Sequence, residues 1–99
     1  MTSKKRERLE VIRDILKAIK ETRKIKPTRL LYASNLSPQM FKEYISELLE
    51  KKFISLEIEG ENTKKQKDKE KKTFSLTKKG QDFLQEYKLI ENFVENFGL

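Results

Sequence analysis

The stretch "PTRLLYASNLSPQMFKEYISELL", residues 27–49, decides how this chain is read. Pro27 suits the first position of a helix, where no N–H donor is needed and φ is already set. Leu30, Leu31 and Ala33 give that helix its apolar side, and Asn35 tolerates the left-handed conformation that ends one. Ser37 then offers a side-chain oxygen to cap a second helix, with Pro38 in its first turn. Phe41, Ile45 and Leu48 keep one face of this second helix apolar; Leu36 precedes that face, and Tyr44 and Leu49 widen it. Two short helices joined through Ser34, Asn35 and Leu36 have the layout of a helix-turn-helix.

Toward the N-terminus, Leu9, Ile12, Leu16 and Ile19 recur at spacings of three, four and three, with Ile15 widening the stripe. This predicts an amphipathic helix from about Lys5 to Arg23. Its other face carries Arg6, Arg13, Lys17, Lys20 and Lys24, read as solvated surface. Beyond Leu49 the period changes. Ile54, Leu56 and Ile58 alternate with polar residues, as do Phe74 and Leu76, which predicts two half-buried strands. Between them lies "GENTKKQKDKEKK", residues 60–72, with six lysines (Lys64, Lys65, Lys67, Lys69, Lys71 and Lys72) and no apolar residue. Such a tract cannot offset its own ordering entropy, so a mobile loop is expected in the free protein.

Thr77 can cap a last helix, in which Phe83, Tyr87, Ile90, Val94 and Phe97 fall at spacings of four, three, four and three. That is a heptad seam. About 20 residues of helix reach roughly 30 Å, farther than three short helices and a hairpin can cover. Ile90, Phe93, Val94 and Phe97 would lie exposed without a partner, so a homodimer through this helix is expected.

Composition bounds the rest. The chain has 99 residues, 35% hydrophobic and 39% charged, enough for one domain with a small core. Lys and Arg number 23 against 16 Asp and Glu, a formal charge of +7 that favours anionic partners. Cysteine and histidine are absent, which excludes disulfides and thiolate chemistry and removes the usual zinc ligands. No carboxylate pair converges for acid–base work, so the expectation is a non-enzyme without cofactor, metal or evident small-molecule ligand. No apolar run approaches the roughly 20 residues needed to span a bilayer. The polar start "MTSKKRERLE" does not lead into a secretory core. These features predict a soluble, cytoplasmic protein with no membrane partner.

Helix, helix, turn, helix, two strands with a basic loop, helix is the order of a winged helix-turn-helix. The segments "RLEVIRDILKAIK", "TRLLYASNLSPQMFKEYISELLEKKFI" and "FSLTKKGQDFLQEY" together resemble the small archaeal winged-helix proteins of the Sulfolobus 10a-type DNA-binding family. "LTKKG" is the most recognisable fragment. The resemblance implies a mainly α fold with a small β-hairpin (α+β). Residues 1–80 would form the DNA-binding domain, with a lysine-rich wing loop at 60–72. Residues 81–99 would pair with a second copy as an antiparallel coiled coil, through Phe83, Tyr87, Ile90, Phe93, Val94 and Phe97. One departure stands out: Lys52 occupies a place usually held by glycine in such domains.

The resemblance makes residues 37–51 a recognition helix whose N-terminal half enters the major groove. There Gln39 can pair with adenine and Pro38 or Met40 can touch a thymine methyl. Ser37 and Lys42 can hold phosphate, and Glu43 can accept from cytosine. Arg29 and the six loop lysines complete the expected DNA contacts. No arginine or asparagine points at bases, so a modest sequence preference over a large electrostatic contribution is expected. The function implied is a dimeric double-stranded DNA-binding protein, either an architectural chromatin factor or a transcriptional regulator. A winged helix serving as a protein-interaction module is the alternative. RNA binding fits less well, because Tyr32 and Tyr44 are assigned to the core or its rim rather than to a stacking platform.

Overall fold

A computed structural model describes residues 4–59 and 71–99, with side chains described over 8–58 and 72–99. Its elements follow the expected order: α1 (Lys4–Thr22), α2 (Pro27–Ser34), α3 (Pro38–Glu50), β1 (Ile54–Glu59), β2 (Lys71–Leu76) and α4 (Lys78–Asn96). The architecture is mainly α with a small hairpin, the α+β winged helix-turn-helix expected from the sequence. The loop lysines Lys64, Lys65, Lys67 and Lys69 lie outside the described residues.

The stripe on α1 supplies Ile12, Ile15, Leu16 and Ile19 to the core, where Leu30 of α2, Ile45 and Leu48 of α3, and Ile54 and Phe74 of the hairpin meet them. Leu9, first of that stripe, remains 48% exposed. β1 and β2 pair antiparallel, with Ile54 opposite Leu76 and Ile58 opposite Lys72. The sequence reading missed a third edge. Ile25 forms an antiparallel bridge to Phe74, each backbone N–H donating to the other's carbonyl at 3.1 and 2.9 Å. This tie fixes the link between α1 and α2 against the hairpin.

The helix ends show how the turns are encoded. Asn35 is left-handed (φ 60°) and donates its N–H to the Tyr32 carbonyl. Ser37 caps α3, its hydroxyl accepting from the Met40 N–H at 3.3 Å. At the other end of α3, Lys52 adopts φ 62° in the place where glycine was expected. The Phe53 N–H reaches the Leu48 carbonyl at 2.9 Å and the Lys52 N–H reaches Leu49 at 3.0 Å. This is a Schellman ending made with lysine instead of glycine.

"LTKKG" closes against that turn. The Thr77 hydroxyl lies 2.7 Å from the Lys52 carbonyl and 2.9 Å from that of Phe53, and it accepts from the Gly80 N–H at 3.1 Å. Lys79 donates to the Lys51 carbonyl at 2.9 Å, and its ammonium sits 4.7 Å from the centre of the Phe53 ring. A Cβ on Gly80 would meet the Phe53 carbonyl oxygen at 2.3 Å, so only glycine lets α4 start this close to the turn. Phe83 then packs edge-on against Phe53, with ring centres 5.7 Å apart. Farther along, α4 leaves the body, and the molecule extends 58 Å along its longest axis against 26 and 20 Å across.

Candidate nucleic-acid interface

Ile45 and Leu48 are buried and Phe41 partly so, which anchors α3 and turns Ser37, Pro38, Gln39, Met40, Lys42 and Glu43 outward. The C-terminal half of the helix is acidic, with Glu47 and Glu50 following Glu43. Glu47 is occupied within the fold. Arg8 of α1 donates to its carboxylate, and Lys51 donates at 3.1 Å. The hydrogen bond from Arg8, followed by that from Lys51, holds the Glu47 carboxyl below the usual carboxylate range. The same bond raises the Arg8 guanidinium above its ordinary value. Arg8 also lies over the ring of Tyr44, 5.9 Å from its centre.

A feature that the sequence reading did not use becomes clear beside these helices. From Thr22 to Lys42 the chain has no acidic residue and five cations: Arg23, Lys24, Lys26, Arg29 and Lys42. All five are exposed. Lys24 pairs with Glu57 at 3.2 Å across the hairpin. The run covers the link before α2, all of α2, the turn and the first residues of α3, and stops where α3 turns acidic. Charge segregation of this kind is legible from sequence when acids and bases are mapped separately. A reading by hydrophobic period passes over it.

The basic face of α1 is less available than expected. The Arg13 guanidinium is partly desolvated, which opposes its charge, but the carboxylates of Asp14 and Glu91 outweigh this and raise it above its ordinary value. Arg13 donates to both, and it lies 5.4 Å from the centre of the Tyr87 ring. It therefore braces α1 to α4. Lys17 and Lys20 remain exposed, whereas the side chain of Arg6 lies outside the described residues. In the wing, Lys72 is exposed, and only the backbone of Lys71 is described. Tyr44 sits at the rim, as expected. Tyr32 does not: it is 77% exposed on the outer side of α2, opposite buried Leu30, so its assignment to core or rim is corrected.

Of the seam on α4, Phe83 and Tyr87 pack within the chain and are partly buried. Ile90 (60%), Phe93, Val94 and Phe97 (65%) are exposed, together with Leu89 and Leu99. The rings of Phe93 and Phe97 lie 4.7 Å apart on this bare surface. A cleft between α1 and α4, lined by Leu9, Phe83, Tyr87, Ile90 and Val94, continues it. Among the described residues, no helix is long and apolar enough to cross a membrane. None of their acidic side chains is grouped so as to hold a metal ion.

This architecture is that of a winged helix-turn-helix protein, a class that in general binds DNA and is not enzymatic. The chain belongs to the winged helix-turn-helix family, whose profile matches residues 5–95. It is also similar to an uncharacterized protein of the archaeon Methanocaldococcus jannaschii, with 41% identity over 54 residues. That match covers 54% of this chain and 25% of the relative, so the chain spans about a quarter of the length of the protein it matches.

Proposed function

We propose that this chain is a dimeric double-stranded DNA-binding protein of the Sulfolobus 10a type, acting as an architectural factor or a transcriptional regulator at the nucleoid. Residues 1–80 read the duplex and residues 81–99 join two copies. The recognition helix, residues 37–51, enters the major groove, and the wing lysines run along the backbone. The observation that carries this reading is the acid-free run from Thr22 to Lys42, whose five exposed cations lie from the link before α2 to the start of α3. Phosphate neutralisation supplies most of the affinity in such an arrangement. Gln39, Met40 and Lys42 add a modest preference among sequences.

Gel shifts on random and genomic duplexes at several salt concentrations test the reading. The parent should bind with a steep salt dependence, about 0.9 in log K per log salt for each phosphate neutralised. Changing Lys64, Lys65, Lys67 and Lys69 to Gln should flatten that slope and weaken all duplexes alike. Changing Gln39 and Lys42 to Ala should instead reorder the duplexes, by roughly 1–3 kcal/mol per lost base contact. Absence of salt-dependent duplex binding in the parent would establish the interaction-module reading, which the three glutamates of α3 favour.

A further inference from the structure

α1 carries a row of cations, Arg13, Lys17, Lys20 and Lys24, at spacings of four, three and four. That spacing puts them on one helix face, where like charges repel. The ends of the row are neutralised by acids: Arg13 by Asp14 and Glu91, and Lys24 by Glu57 at 3.2 Å. Its middle is not. Lys17 and Lys20 are exposed, and neither forms a hydrogen bond or ion pair with another described residue. Where α4 crosses this face it brings a third cation, Lys88, likewise exposed and without such a partner among the described residues.

The three lysines line one groove between α1 and α4. Leu84 and Tyr87, both partly buried, give it an apolar floor, and Gln81 and Gln85 add amides that donate as well as accept. Two acids also line it. Glu91 is bound to Arg13, and Glu21, although four residues on from Lys17, pairs with neither lysine of α1. The groove holds about 660 Å³, within the roughly 300–1,000 Å³ of small-molecule sites. No residue of α3 or of the hairpin lines it, nor do Ile90, Phe93, Val94 and Phe97. It is therefore separate from the surface proposed for DNA and from the bare seam proposed for the partner copy.

An apolar ligand would strip water from three ammonium groups and return nothing. A single carboxylate would answer one of them. Lys17 and Lys20 are only about 4.5 Å apart along the helix axis, a separation that neighbouring phosphoryl or carboxylate groups of one small molecule can bridge. We propose that this groove binds a compact polyanion carrying two or three adjacent charges, as a diphosphate or a tricarboxylate does. Lys17 and Lys20 hold it from α1 and Lys88 from α4, while Gln81 and Gln85 hydrogen-bond its remaining oxygens. A ligand so held ties α1 to α4 alongside the Arg13–Glu91 pair.

The probes are inorganic pyrophosphate and citrate, each titrated into the full chain at constant ionic strength. Binding is read by calorimetry and by the rise in melting temperature that a ligand of the folded state produces. A site for one molecule per chain is expected; preference for pyrophosphate marks a phosphorylated ligand, and preference for citrate a polycarboxylate. Lys17→Gln, Lys20→Gln and Lys88→Gln should each weaken the better probe about tenfold, the loss expected for one hydrogen bond to a charged group. Without probe, their melting temperatures should match the parent, because the three side chains make no polar contact within the described fold. Changing Lys64, Lys65, Lys67 and Lys69 to Gln should leave the affinity unchanged. The proposal is overturned if neither probe binds at about 1 mM, the weak end of specific affinity. It is overturned equally if the loop variant loses binding that the three groove variants keep.

Discussion

Lys52 and Gly80 face each other across the same turn with opposite conformational needs. Lys52 is held at φ 62°, where a side chain costs about 1 kcal/mol relative to glycine. Its conformation serves the Schellman bonds and asks nothing of its side chain. Lys52→Gly should therefore stabilise the protein, by about 0.5–1 kcal/mol in a urea titration. Gly80 is the reverse case. Its φ is helical, so the demand is for space, and the obstacle is the Phe53 backbone oxygen, which has no rotamer with which to yield. Gly80→Ala should destabilise by roughly 1–3 kcal/mol from overpacking, offset in part by the better helix propensity of alanine, about 1 kcal/mol. A Gly80→Ala variant as stable as the parent would mean that α4 can start elsewhere without loss.

At the scale of elements, periodicity carried most of the reading. α1 and α3 each bury one stripe, and residues such as Ile12, Leu16, Ile45 and Leu48 announce it by their spacing. Ile25 could not be read this way, because a single bridged residue has no period. Tyr32 was misplaced because an aromatic is ordinarily assigned to the apolar side, and in α2 that side is already filled by Leu30. The seam on α4 was legible as one heptad line. Its division between an inner contact, Phe83 and Tyr87, and a bare outer stretch depends on where the body ends, and that is a property of tertiary packing. The bare stretch supports a prediction. Ile90→Glu with Val94→Glu places two carboxylates where a partner helix would bury them, a penalty beyond what a short coiled coil supplies. Sedimentation should show a dimer for the parent and a monomer for the variant, with helicity nearly unchanged because both positions are exposed within one chain. A parent that is monomeric at tens of micromolar, roughly the range of weak association, would dispose of the dimer.

Across the whole molecule, charge is sorted by purpose. Some cations bind helices to one another, as Arg8 does with Glu47 and Arg13 with Glu91, while those from Lys26 to Lys42 face outward. The sorting predicts a pH dependence. The Glu47 carboxyl lies lower in the folded state than its ordinary value of 4.5, so its ionisation stabilises the fold above that pH. The contribution is lost as pH falls through the depressed folded value. Glu47→Gln should thus lower the melting temperature near neutrality, and the gap from the parent should close in acid below the ordinary carboxylate range. A gap that persists unchanged in acid would show that Glu47 acts by shape and not by charge.

The close approach at Gly80 also has a mechanical side. α4 has 19 residues, about 28 Å, and is held to the body from Gly80 through Phe83 and Tyr87 to Glu91, where Arg13 braces it to α1. A tilt of about 5° at the start of a helix of this length would swing its far end by roughly 2.5 Å, a motion that the Arg13–Glu91 pair opposes. Phe93 and Phe97 ride near that end. The tolerance with which the aromatic tip is aimed is therefore set by two holds, a missing methyl group against a carbonyl oxygen at the start of the helix and a guanidinium on Glu91 just before the bare stretch.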